Sequence, residues 1–101
     1  MGLRHVVMFR WADGVGDDHV AAVTAGLAAL QPLIPTLRDY RFGPDAGINQ
    51  GNYDYVVVGD FDDVEGYLVY RDHPDHKQFI ADLIAGKVAE RAAVQFEIAS
   101  P

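Results

Sequence analysis

No cysteine occurs among the 101 residues of this chain. That excludes disulfides, thiolate zinc sites, iron–sulfur clusters and cysteine nucleophiles, and it suits a reducing cytoplasm, the expected setting. Long apolar runs are missing too. Half the residues are apolar, but charges interrupt them throughout, and no stretch approaches the ~18 residues of a membrane helix. The start MGLRHVVMFRW has only a short apolar stretch with no small-residue cleavage site after it, so it reads as a first strand and not as a signal peptide. It also lacks the Ser or Thr of a myristoylation signal. Basic residues are few and scattered: eight Lys and Arg stand against fifteen Asp and Glu, for a formal charge of −7. Nucleic acid needs clustered cations against phosphate, so neither it nor a membrane is an expected partner.

What is present is a regular alternation of elements. LRHVVMFRW (3–11) is β-branched and aromatic, as a strand is, with Leu3, His5, Val7, Phe9 and Trp11 on one face and Val6 and Met8 on the other. After the loop ADGVGDD, Val20, Val23, Leu27 and Leu30 have helical spacing, with Asp17 or Asp18 as cap and Pro32 and Pro35 as terminators. LRDYRFG (37–43) predicts a short strand, PDAGINQGN a loop, and YDYVVVGDF (53–61) the clearest strand. Asp62 and Glu65 resemble a capping box for a second helical segment, in which Val64, Tyr67, Leu68 and Arg71 share a face. That segment breaks at Asp72–Pro74, restarts as HPDHKQFIADLIAG and stops at Gly86. From Val88 the alternation of Val94, Phe96 and Ile98 with Gln95 and Glu97 predicts a last strand.

The order β-α-β-β-α-β predicts one α+β domain over residues 1–101, a ferredoxin-like fold with a four-stranded antiparallel sheet. Helices cover only one face of such a sheet, yet the first and third strands are apolar on both. Val6, Met8, Val56 and Val58 therefore need a cover, and a second copy of the chain, sheet facing sheet, is the expected partner.

The stretch YRDHPDHKQF (70–79) concentrates the chemistry. Two histidines three apart can share a helix face, but a metal site wants three or four ligands and no second cluster exists, so no metal is expected. Pro74 suits the first turn of a helix, with Asp72 or His73 as its cap and Asp75 against its positive end. His76 differs, because it leads the apolar stripe Phe79, Ile80, Leu83, Ile84. An inward imidazole beside a helix start is held neutral by burial and dipole. That describes a general base near pH 7 and equally a satisfied core histidine. His5, on the helix-facing side of the first strand, can share a cleft with His76; Tyr70 offers a phenol one turn before the break, and Tyr55 another. His19, at the start of the first helix, reads as solvated.

RHVVMFRW, the block FDDVEGYLVYRDHPDH and the alternating C-terminal strand resemble the stress-responsive A/B barrel (Dabb) family of dimeric α+β barrels. The resemblance spans essentially the whole chain and implies a homodimer closing into an α+β barrel. Some members are olivetolic acid cyclase-type polyketide cyclases, cofactor-free enzymes performing an aldol condensation with loss of a thioester. Carried over to this chain, the resemblance makes His76 the general base and Tyr70 its assistant, with His5 in the substrate pocket and Tyr55 where the cyclase has a histidine. Phe79 and Trp11 would be pocket wall. The implied function is a cofactor-independent cyclase or lyase acting on a polyketide-like or aromatic keto compound. Other members imply a non-catalytic, stress-responsive stable dimer or a binder of small apolar ligands. The wider superfamily adds cofactor-free monooxygenases, to which Trp11 would be relevant.

Overall fold

The computed structural model describes residues 1–101. Its elements are β1 (Gly2–Trp11), α1 (Asp17–Leu30), β2 (Asp39–Pro44), β3 (Tyr55–Phe61), α2 (Val64–Asp72), α3 (Pro74–Phe79) and β4 (Val88–Ile98), with a 3-10 turn at Gln31–Leu33 and a π-turn at Ile80–Ile84. All strand pairs are antiparallel and the sheet order is β2-β3-β1-β4. This is the ferredoxin-like arrangement that the element order predicts.

Register assigns the two faces, because opposed residues of an antiparallel pair point to the same side. His5, Val7 and Phe9 lie opposite Gly59, Val57 and Tyr55 of β3, and all six are buried beneath the helices. The alternate set takes the uncovered face: Val6 between Val58 and Val94, Met8 between Val56 and Ala92, Arg4 between Asp60 and Phe96. Against the covered face α1 lays Val23, Leu27 and Leu30, each side chain of this size stabilising by about 1.5–3 kcal/mol when withdrawn from water. Gly26 lets α1 approach the last helical segment closely. A Cβ there would lie 2.9 Å from side-chain atoms of both Phe79 and Leu83.

Local details depart from the sequence expectations for identifiable reasons. α1 opens on Gly16, while Asp17 and Asp18 sit inside its first turn and act through the helix dipole. α2 is capped by Asp63, whose carboxylate accepts from Gly66 N–H at 2.8 Å; Asp62, the expected cap, pairs with Arg38 at 2.8 Å instead. The buried side of α2 is Gly66 and Tyr70 and not the Val64–Arg71 stripe, because Tyr70 packs on Phe61 with ring centroids 5.3 Å apart. β3 begins two residues later than expected. Asp54 is engaged with β1, its N–H donating to the Phe9 carbonyl at 2.8 Å and its carboxylate accepting from Trp11 N–H at 2.9 Å.

Candidate functional site

α2 must end at Asp72, because Pro74 has no N–H and forces the residue before it to be extended. His73 accordingly has φ −61° and ψ 133°, and its Nδ1 accepts from Asp75 N–H at 3.1 Å. The first histidine of the motif is therefore the cap of α3, and Asp72 pairs with Arg71. His76 lies within α3 and lines a cavity of about 300 Å³ under the sheet. Val7 and Val57 of the sheet, Leu27 of α1, and Phe79, Ile80 and Ile84 of the last helical segment supply apolar wall. His5, Tyr67 and Tyr70 bring polar atoms to the same space, and Arg71 and Arg91 also line it. No three His, Asp or Glu side chains converge as a metal cage would require.

Hydrogen bonding sets the two imidazoles in complementary states. His76 Nδ1 lies 3.2 Å from the Arg71 carbonyl, which can only accept, so Nδ1 carries the proton and Nε2 keeps the lone pair. His5 is the reverse: the Gln95 amide nitrogen donates to its Nδ1 at 2.8 Å, which leaves the proton on Nε2. One ring thus offers a base and the other a donor. Both resist protonation. Burial, then the positive charge of Arg91, then His76 push the His5 pKa down to about 4. Burial pushes His76 down as well, against the favourable Arg71 carbonyl.

Tyr70 is 3% exposed, and its ring lies on His76 with centroids 4.1 Å apart at 32°. Its hydroxyl shares a 2.8 Å hydrogen bond with Tyr40 of β2, and burial drives its pKa up to about 12. Tyr70 therefore meets His76 by ring contact alone, while its phenol is bound to a second phenol. Burial raises the Tyr40 pKa further still.

The structure brings His5, Tyr70, His76 and Phe79 to one cavity and leaves Tyr55 and Trp11 outside it. The Tyr55 hydroxyl is bound to Thr24 at 2.8 Å in the core. Trp11 packs on Phe9, Tyr55 and the edge of His19. His19 is not solvated as expected. Its Nε2 lies 2.8 Å from the Leu83 carbonyl, so it donates to one of the orphan acceptors at the end of the π-turn. Sequence reasoning missed Tyr40, Tyr67, Gln95 and Arg91. Of these Gln95 was within reach, since pairing β1 with β4 places it opposite His5.

A sheet in the order β2-β3-β1-β4 with helices on one face defines a ferredoxin-like protein. A solved protein of unknown function from Thermobifida fusca, described as dimeric and ferredoxin-like, superposes with a TM-score of 0.91 at 47% identity, over 97% of this chain and 92% of that one. Residues 3–98 match the stress responsive A/B barrel domain, Dabb, and the chain belongs to that family. An uncharacterised protein of Streptomyces coelicolor is 33% identical over 82 residues, 78% of this chain and 84% of its own length. The hydroxynitrile lyase of Passiflora edulis shares the fold, with a TM-score of 0.83 at 17% identity over 96% of this chain and 93% of that enzyme.

Proposed function

We propose that this chain is a cofactor-independent cyclase- or lyase-type protein for a polyketide-like or aromatic keto compound, with His76 as general base and Tyr70 as the residue that orients it. The observation that carries this is the tautomer of His76: Nδ1–H is held by the Arg71 carbonyl, and an unprotonated Nε2 remains on a ring that resists protonation. An apolar cavity of about 300 Å³ suits a small aromatic ketone, and His5 Nε2–H suits the oxyanion that forms when a proton leaves the carbon beside a carbonyl. Phe79 supplies wall for the aromatic body. That a hydroxynitrile lyase has this fold supports lyase chemistry on such a framework. A substrate-independent test is hydrogen–deuterium exchange at the α-carbon of propiophenone. The native chain is expected to accelerate it, and His76→Ala to lose ~10²–10⁴ of that acceleration; equal rates in the two proteins would overturn the assignment.

The Tyr40–Tyr70 pair favours a second reading, a non-catalytic stable dimer that holds a small apolar ligand, because Tyr70 is already satisfied without His76. Tyr70→Leu separates the two: removing the ring that lies on His76 shifts the His76 titration and the exchange rate if Tyr70 orients the base, and only the stability if it does not. Both readings include a homodimer joined through the uncovered faces. The dimeric relative supports it, as does the exposure of Val94 at 55% and Phe96 at 45% on that face.

A further inference from the structure

In a chain with a formal charge of −7, cations have carboxylates to spare. Arg4, Arg10, Arg38, Arg41 and Arg71 each pair with one, at 2.8–3.4 Å. Arg91 is the sixth arginine and forms no ion pair or side-chain hydrogen bond. Its position is not that of a stray surface charge. It lies opposite Phe9 on β4, hence on the helix side of the sheet, and it lines the same cavity as His5, Tyr70 and His76 while remaining exposed itself. Its neighbours along that side of β4 are Ala93 and Gln95, neither of which can neutralise it. The result is an apolar cavity with a free guanidinium at its rim and a base inside.

We propose that Arg91 is a specificity residue that binds a carboxylate, so that the cavity prefers an aromatic or apolar acid to its neutral counterpart. A planar guanidinium presents two parallel N–H groups to a carboxylate, and the apolar walls accept the body behind it. This deepens the proposed function by naming a substrate class, a keto acid. It rests on the cavity being a ligand site and does not require His76 to act as a base. Because Arg71 already pairs with Asp72, its contribution to binding is the smaller of the two.

The test compares phenylacetate with its neutral isostere phenylacetamide, following binding through the NMR resonances of His5 and the Val57 methyls. The native chain is expected to prefer phenylacetate by about tenfold, the gain of one rim charge-assisted contact. Arg91→Gln is expected to abolish that preference while leaving phenylacetamide binding unchanged. Arg91 is exposed and Gln keeps the strand hydrogen bonds, so the variant folds; Arg71→Gln is expected to retain most of the preference. Equal binding of the two probes, or a preference that survives Arg91→Gln, overturns the carboxylate proposal and leaves the ligand pocket standing. Benzylphosphonate binding much more tightly than phenylacetate overturns it in favour of a phosphate. Binding of none of the probes removes the ligand site itself, and the proposed function with it.

Discussion

The two faces of this sheet are made by the same strands and have opposite characters. On the helix side His5, Val7 and Phe9 stand over a cavity in which hydrogen bonds fix both imidazoles. On the other side Val6, Met8, Val56, Val58, Val94 and Phe96 form an apolar strip. Its polar features are ion pairs: Arg4 bonds through Nε and Nη2 to both oxygens of Asp60 at 2.8 and 2.9 Å, with Arg41–Asp39 and Arg10–Glu90 toward the margins. Composition alone does not separate the two, since both are largely apolar. What separates them is what covers each one. On the covered face the helices leave a cavity of about 300 Å³ against the sheet, and such a cavity can hold a ligand. The covered face is suited to chemistry and the open one to assembly.

The largest effect that tests this contrast comes from charging the open face. Val6→Asp places a carboxylate where a partner sheet is expected to lie, and an unpaired charge buried there costs several kcal/mol. Light scattering should show loss of the dimer, while His76 keeps its native titration. A monomeric native chain would remove the distinction between the faces altogether.

Acid acts next, and on the covered face. His5 binds its proton near pH 4 when folded and near ~6.5 when unfolded. Between these values the unfolded chain holds more protons, so stability falls as the pH drops from 6.5 to 4 and the loss is complete below 4. The span corresponds to on the order of 3 kcal/mol at most. Urea unfolding at stepped pH should show this slope, and His5→Gln should reduce it to the part that His76 contributes in the same direction. A slope unchanged in His5→Gln would mean that water reaches the ring.

Tyr70→Phe is a smaller perturbation. It leaves the Tyr40 hydroxyl buried without its partner, at a cost of about 1–3 kcal/mol, which thermal unfolding would register. The least disruptive change is Arg91→Gln. Stability is expected to stay within about 0.5 kcal/mol, while the His5 titration moves upward because a neighbouring positive charge is gone. If His5 does not move, Arg91 is turned away from the cavity.

Much of this was legible beforehand because strands repeat every two residues and helices every 3.6. Alternation in β1 assigned His5 and Val6 to opposite faces, and the stripe from His76 to Ile84 placed the second histidine against the core. Pairings distant in sequence were not legible. Tyr40 and Tyr70 meet across 30 residues, and no local pattern announces that. The cap of α2 moved one residue because Arg38 engages Asp62 and the cap falls to Asp63, a division of roles between adjacent aspartates that spacing alone cannot rank. The π-turn was hidden for a similar reason: its defining bond, Ala85 N–H to the Ile80 carbonyl at 2.8 Å, is compatible with the same apolar stripe as an ordinary helix. Arg91 carries no sequence signal at all, since being unpaired is visible only once every carboxylate has been placed.

Interleaving two surfaces on one strand also constrains how such a chain can change over generations. A single residue inserted into β1 between Gly2 and Phe9 would exchange the surfaces downstream of it, turning imidazole and pocket wall outward and the assembly surface into the core. An insertion among residues 46–52, a loop that crosses 47 and 51 at glycines with φ +76° and +84°, disturbs neither. Divergence among descendants of this sequence should therefore proceed by substitution within the strands and by changes of length in that loop.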